Sequence, residues 1–188
     1  MDLLDEAFRL KVKYFTAWGF STENWKRADR EVNFLMQLFR RSMDRFERKF
    51  LEKKIRFCHF GRKDRLPKTI AVRMAALEEK TKQFTAGAFG LAIDYGGRDE
   101  ILRAVSRLRE EGGEVSERAL SQAMDTRDFP DPDLVIRTSG EQRTSGLMPW
   151  QSAYNELYFA PEQIPDFGPA QLRGALAEFS RRKRNFGA

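Results

Sequence analysis

The stretch FGLAIDYGGRDE, residues 89–100, decides the reading of this chain. Residues 89–95 form a short apolar run, long enough for a buried strand and too short for most helices. Gly96, Gly97 and Arg98 then break the run, and Asp99 opens a helix expected over 99–110. Strand, glycine-arginine loop and helix together make half of a βαβ unit. The same order recurs on both sides. Upstream, a helix is expected over 2–10, a strand over 12–20, a long helix over 29–51 with Asp29 at its N-cap, and a strand over 55–60. Pro67 then opens a helix to about residue 84. Downstream come a short helix near 116–124, a strand over 134–137, a helical turn over 150–155, a short strand over 156–159 and a last helix over 169–184. Strands alternating with helices predict an α/β fold with a mainly parallel central sheet flanked by helices, because parallel neighbours need crossover connections.

The bulk numbers agree with one domain spanning 1–188. The chain has 188 residues, 41% hydrophobic and 33% charged, which is an ordinary globular balance. No apolar run reaches bilayer-spanning length. Met1 leads into an acidic, amphipathic stretch and not into a signal peptide. Cys58 is the chain's one cysteine, which excludes an internal disulfide and, with no secretion signal, makes the cytoplasm the expected home. The net charge of +6 admits three kinds of anionic partner: nucleic acid, an anionic membrane or a phosphorylated small molecule.

The placement of arginines narrows these three. In parallel sheets, ligands bind beyond the carboxyl ends of the strands. After the first expected strand comes Ser21-Thr22-Glu23-Asn24-Trp25-Lys26-Arg27. The second is followed by Gly61-Arg62-Lys63-Asp64-Arg65, and the third by Gly96-Gly97-Arg98. After the fourth comes Thr138-Ser139-Gly140-Glu141-Gln142-Arg143-Thr144-Ser145-Gly146. Every one of these loops carries arginine, and most carry glycine or hydroxyl groups. They are expected at one sheet edge, as an anion site. Arginines gathered in loops at one sheet edge weigh against a basic nucleic-acid-binding domain, which needs an exposed basic surface with interleaved aromatics. The opening helix feeds a strand, so a preceding strand and its loop are expected in the complete fold and are absent from this sequence.

Arg137 and Arg143 lie six apart around Gly140. Two guanidinium groups so placed can grip a diphosphate from two directions, with Ser145 donating a further bond. A solvated turn with structural ion pairs is the other reading, and spacing alone leaves both open. Ser21 and Asn24 are neutral polar groups beside Lys26 and Arg27, suited to orienting a substrate. Trp25 either packs on an apolar ligand or anchors the loop. Gly96-Gly97-Arg98 also suits ordinary helix capping. Glu156 is either a Mg²⁺ ligand or the partner of a structural arginine. His59 and Cys58 read as an inert core pair, and no Cys/His cluster suggests zinc. In the helix over 29–51, Val32, Leu35, Met36, Phe39, Met43, Phe46 and Phe50 form one apolar stripe, and Phe34 and Leu38 extend it to a second. A helix apolar on two sides is expected to be buried on both, in core packing or as a tunnel wall.

Taken together, these loops resemble the cis-prenyltransferase family, and the similarity runs over nearly the whole chain. Its most specific part is residues 133–145 with 149–159, similar to that family's isopentenyl diphosphate segment. Residues 20–27 (FSTENWKR), Tyr95-Gly96-Gly97-Arg98 and the RNFG stretch ending at Gly187 match further family motifs in the right order. The resemblance implies a homodimeric, Mg²⁺-dependent enzyme. It would condense isopentenyl diphosphate with an allylic diphosphate such as farnesyl diphosphate, giving a cis-polyprenyl diphosphate such as undecaprenyl diphosphate. It also implies roles. Arg137, Arg143 and Ser145 bind isopentenyl diphosphate, and Arg27 and Arg98 face diphosphates. Ser21 and Asn24 lie near the proton to be lost, Phe20 and Trp25 position substrate, and Glu156 helps hold Mg²⁺ across a dimer interface. The long helix becomes a wall of the product tunnel, and the lipid product implies peripheral membrane contact. Gln142 and Asp94 depart from the histidine and asparagine of many relatives, and the family's Asp-Gly-Asn-Gly-Arg-Trp loop has no counterpart here. A piece of a longer product, a chain numbered from within one, and a non-catalytic partner subunit all account for that. Retention of Asn24, Arg27, Arg137 and Arg143 argues against the last, since a subunit without a site has no chemical need of them.

Overall fold

A computed structural model describes residues 3–183; the RNFG stretch lies outside them. In chain order the elements are α1 (Leu3–Arg9), β1 (Tyr14–Ser21), a 3-10 helix (Thr22–Lys26), α2 (Asp29–Lys53), β2 (Ile55–Phe60), α3 (Lys68–Thr81), β3 (Gly87–Tyr95), α4 (Gly97–Glu110), α5 (Glu117–Ala123), β4 (Leu134–Arg137), β5 (Glu156–Phe159) and α6 (Pro169–Arg181). The fold is α/β with parallel sheet flanked by helices, as expected. The strands divide between two compact units, residues 13–129 on one hand and residues 3–12 with 130–183 on the other.

In residues 13–129 a three-stranded sheet has the order β1-β3-β2, and both pairings are parallel. Every residue of the central β3 is buried, which is why its sequence is a nearly continuous apolar run without alternation. On one side, Phe46 and Phe50 of α2 pack on Phe89 and Phe57, with ring centroids 5.3–6.3 Å apart in the contacts to Phe89 and 5.8 Å between Phe50 and Phe57. Elsewhere in the unit, Phe60 and Tyr14 both meet Phe129 edge-on, at 5.0 and 5.1 Å. Such aromatic pairs add to the apolar area they remove from water.

The outer edge of β2 is closed by side chains. The Phe57 N–H donates to Thr81 Oγ1 at 3.0 Å, the His59 N–H to Glu78 Oε1 at 2.8 Å and the Gly61 N–H to Asp125 Oδ2 at 2.9 Å. Three alternate backbone donors that would otherwise recruit another strand are therefore satisfied within the unit. Arg103 grips Asp125 with two nitrogens, at 2.8 and 2.6 Å, and Arg107 adds a third contact at 2.9 Å. Burial alone would raise the Asp125 carboxyl, but Arg103, then Arg107 and the Gly61 N–H, hold it down at about 2. β1 lies at the opposite edge, and among the described residues no strand pairs with its outer side.

His59 is 4% exposed, in agreement with its expected place in the core. Its Nε2 lies 2.9 Å from the Ile93 carbonyl, which makes Nε2 the protonated nitrogen, and Nδ1 is buried without a partner among the described residues. Burial lowers its pKa. A group held neutral in the native state and charged on unfolding stabilises fully above its unfolded pKa of about 6.5 and loses that contribution as pH falls below it. Unfolding free energy is thus expected to drop by at most about 1.4 kcal/mol between pH 7.5 and 5.5. His59→Gln should flatten that slope in urea titrations, and an equal slope in the variant would contradict the assignment. Cys58, expected to be buried, is half-buried; burial pushes its thiol up to about 11, so it is unreactive.

In the unit formed by residues 3–12 and 130–183, β4 and β5 pair in parallel, Leu134 with Glu156 through Arg137 with Phe159. Glu6 of α1 is fully buried. It takes Arg9 at 2.7 and 2.8 Å and Arg173 of α6 at 2.7 Å, which ties the two helices together. Hydrogen bonds from Arg9 and then Arg173 lower its pKa to about 2.

Several local expectations are corrected. Ala28, not Asp29, is the N-cap of α2, and Asp29 is its first helical residue, where a carboxylate favours the positive end of the helix dipole. Pro67 is an N-cap, and α3 stops at Thr81. Residues 150–154 form turns and no helix. Phe34 and Leu38 are not buried: they are 65% and 48% exposed, so α2 has one buried stripe, Val32, Met36, Met43 and Phe50. The 3-10 helix after β1 has no signal in the apolar periodicity, because it is built from polar side-chain bonds.

Candidate active site

The loop after β1 begins at Phe20, 1% exposed, against which Trp25 packs edge-on at 5.0 Å. Trp25 is therefore held by its own loop, and its Nε1 is buried with no partner among the described residues. The Ser21 N–H donates to Asn24 Oδ1 at 2.9 Å, closing the first turn of the 3-10 helix. This bond fixes the Asn24 amide plane and directs its oxygen to the backbone, so the NH₂ group is the end left to act as a donor. Burial would raise the Glu23 carboxyl, but its own N–H and the Ser21 and Thr22 side chains hold it below the usual carboxylate range. Arg27 is exposed, and its nearest carboxylate, Glu31, stands 3.9 Å away.

Behind this loop lies the turn after β3. A Cβ on Gly96 would come within 2.4 Å of Thr22 Oγ1, so glycine is what lets the two loops meet. The Trp18 Nε1 donates to the Tyr95 carbonyl at 3.3 Å, and the Tyr95 hydroxyl donates to Glu100 Oε2 at 2.6 Å. Glu100 also accepts from the Asp125 and Thr126 backbone N–H groups at 3.0 and 3.3 Å. Arg98 is exposed at the start of α4. Ser21, Asn24, Arg27 and Arg98 thus stand on loops after β1 and β3, neighbouring strands of one sheet.

The other predicted residues belong to the unit of residues 3–12 and 130–183. The loop after β4 is pinned by three backbone bonds: Ala160 N–H to the Arg137 carbonyl at 2.7 Å, Ser139 N–H to the Glu162 carbonyl at 2.7 Å and Gly140 N–H to the Ala160 carbonyl at 2.9 Å. Ser139 and Gly140 take successive left-handed conformations, φ 70° and 68°, and Ser145 and Gly146 do so again at 52° and 86°. The chain between these two reversals carries Arg143, which is exposed and paired with Glu141. Arg137 Nε is buried and has no partner among the described residues. An unpaired buried cationic donor is costly unless a ligand completes it.

Glu156 opens β5, and its Oε2 accepts from Arg182 Nη1 at 2.8 Å, while Arg182 also binds Glu178 at 2.5 Å. Among the described residues no three histidine, cysteine or carboxylate side chains stand together as a metal cage. A lone carboxylate fits Mg²⁺ only where diphosphate oxygens and water fill the other positions. A cavity of about 350 Å³ at the outer edge of β2 is lined by ion pairs such as Lys63–Glu78 and Arg56–Asp128, a lining unsuited to a prenyl chain.

What the sequence reading passed over is the support behind Arg98. Arg65 binds the fully buried Asp94, Nε to Oδ2 at 2.9 Å with a second contact from Nη2 to Oδ1, and the Arg62 N–H donates to the Asp94 carbonyl at 3.0 Å. Asp94 has φ 52°, a backbone state that aspartate and asparagine tolerate better than most residues. The signal available was the pair of arginines in the loop after β2.

Each unit pairs parallel strands with arginine-bearing loops at their ends, and comparison with known proteins gives the family. The family model described as putative undecaprenyl diphosphate synthase matches residues 1–187. An isoprenyl transferase of Aquifex pyrophilus is 43% identical over 99% of this chain and 81% of its own length. One from Thermotoga maritima is 42% identical over 96% and 80%. Among solved structures, a probable undecaprenyl diphosphate synthase from Campylobacter jejuni superposes with a TM-score of 0.91 at 34% identity, covering 99% of this chain and 88% of that one. Lavandulyl diphosphate synthase from Lavandula x intermedia, in complex with dimethylallyl diphosphate, gives 0.93 at 33% identity, covering 100% and 84%. The chain belongs to the undecaprenyl diphosphate synthase family of prenyltransferases.

Proposed function

We propose that this prenyltransferase condenses isopentenyl diphosphate with an allylic diphosphate, farnesyl diphosphate being the primer of choice, and extends it to a long-chain cis-polyprenyl diphosphate such as undecaprenyl diphosphate. The observation that carries this reading is Arg137, whose buried Nε lacks a partner among the described residues at the base of a glycine-hydroxyl-arginine loop. In each cycle the isopentenyl double bond attacks the allylic C1, the C1–O bond breaks to release inorganic diphosphate, and a proton is lost. Arg137, Arg143 and Ser145 hold the isopentenyl diphosphate, while Arg27 and Arg98 meet negative charge on the diphosphates. Ser21 and Asn24 orient the groups around the departing proton, and Phe20 and Trp25 shape the apolar end of their loop. These roles are charge neutralisation and orientation, the two terms that dominate such a displacement. An allylic diphosphate in the lavandulyl diphosphate synthase structure supports the class of co-substrate.

Mg²⁺ bound with the diphosphate would supply further neutralisation of the leaving group, and Glu156 is the carboxylate that would hold it once Arg182 gives way. The active form in this reading is a homodimer, and exposed Tyr154, Leu157 and Phe159 support a surface for the second copy. No described helix is long and apolar enough to cross a membrane. Exposed Phe34 and Leu38 on α2 supply a peripheral contact with the membrane that would receive the lipid, from the cytoplasmic side, and the buried stripe of α2 is the proposed tunnel wall.

The test is incubation of the protein with radiolabelled isopentenyl diphosphate, farnesyl diphosphate and Mg²⁺, with chromatography and mass analysis of the extracted lipid. A ladder of products growing by one isoprene unit is expected. A single product just one isoprene unit longer than the primer would redirect the assignment to a short-chain synthase, and binding without any product would refute catalysis by this chain.

A further inference from the structure

Arg98 lies among acidic residues: Asp94 precedes it by four, and Asp99 and Glu100 follow directly. None of the three is available to it. Arg65 takes Asp94 with two nitrogens. Asp99 is shared by Arg62, at 2.9 Å to Oδ1, and Arg103, at 2.8 Å to Oδ2. Glu100 is buried under Tyr95, Asp125 and Thr126. No described carboxylate pairs with Arg98 itself, which stands exposed at the end of a turn whose backbone is fixed against Thr22. Two arginines of the loop after β2, Arg62 and Arg65, thus reach the acids on either side of Arg98.

We propose that Arg65, with Arg62 beside it, is a positioning residue of the diphosphate site. It neutralises the Asp94 carboxylate so that the Gly96-Gly97-Arg98 turn presents positive charge to a diphosphate. The inference rests on Arg98 being a diphosphate contact, as read above. Its physical basis is that Asp94 is wholly buried and lies four residues from Arg98 along a fixed backbone. An uncompensated carboxylate in that low-dielectric setting repels an incoming anion more strongly than an exposed one does. The Arg62 N–H bond to the Asp94 carbonyl and the fit of Gly61 against the same residue keep the two loops in register, so Arg65 returns to its partner in each molecule.

The experiment is calorimetric titration of inorganic diphosphate, the group both substrates share, into wild type, Arg65→Ala, Arg65→Lys, Asp94→Asn and the double variant Arg65→Ala/Asp94→Asn, with thermal melts alongside. Arg65→Ala should weaken binding about tenfold. Removing the acid as well should return affinity to within about twofold of wild type, since the charge has been removed with its partner. Asp94→Asn alone should tighten binding by about threefold, because it leaves an extra cation in the turn. A purely structural pair predicts the reverse for the double variant, which would be no better than either single. Arg65→Ala binding as wild type does, or a folded double variant no tighter than Arg65→Ala, overturns the proposal. Should Arg65→Ala fail to fold, Asp94→Asn and Arg65→Lys decide it: a folded Asp94→Asn weaker than wild type refutes it, as does a folded Arg65→Lys as weak as a complete loss. Wild type taking no diphosphate at all refutes the functional reading itself, an outcome separate from any difference among the variants.

Discussion

Arg137→Ala is expected to lose at least about 100-fold in affinity for isopentenyl diphosphate, with a parallel fall in turnover, while melting close to wild type. That ratio corresponds to about 3 kcal/mol, within the range for truncating one side of a buried charged hydrogen bond. The fold should survive because the loop is pinned by backbone bonds that the side chain does not make, Ala160 to Arg137, Ser139 to Glu162 and Gly140 to Ala160. Removing a buried Nε that has no partner among the described residues also relieves a desolvation cost, so stability should hold or rise. Arg137→Lys should recover only part of the affinity, since an ammonium cannot offer the planar fork. Calorimetry with the wild type and both variants checks this. An Arg137→Ala protein that binds as tightly as wild type would show that Arg137 does not contact the ligand.

Gly61→Ala should be the most damaging single substitution for stability, by about 4 kcal/mol or more, a fall in melting temperature of roughly 10 °C. Gly61 has φ 118°, a region L-residues rarely adopt, and an added Cβ would lie 2.3 Å from the Ile93 carbonyl oxygen and 2.7 Å from that of Asp94. Those are backbone atoms of the central strand and cannot step aside as a side chain could. The strained backbone would also draw the Gly61 N–H away from Asp125, which Arg103 and Arg107 hold in place. A melt within about 2 °C of wild type would mean that the loop after β2 is free to move, contrary to this packing.

The central strand was legible because burial on both faces writes itself as an apolar run; residues 134–137 and 156–159, though only partly buried, also came out with their observed bounds. Helix existence was legible from the three-and-four spacing, but caps were not. Asp29 looked like a capping residue because aspartate serves equally at the cap and in the first turn. Phe34 and Leu38 show the limit of periodicity: two apolar stripes do not say whether the second meets a neighbour, and here it faces solvent. The burial of Glu6 had no signal in the sequence, because its partner Arg173 lies 167 residues away. The loops carrying Arg27, Arg98, Arg137 and Arg143 stood out through glycine and arginine content. The neutralisation of Asp94 by Arg65 did not, since it joins loops 29 residues apart through side chains alone.

The closed edge of β2 also sets a schedule for the ribosome. Glu78 and Thr81 follow the strand within a few tens of residues, but Asp125 is made 64 residues after Gly61. At about 5–20 residues per second, the last amide of this edge waits roughly 3–13 s for its partner. Through that interval the nascent chain carries an apolar strand whose edge is closed at Phe57 and His59 but open at Gly61. Chaperone capture of stalled chains should therefore peak in lengths that include β2 and end before Asp125.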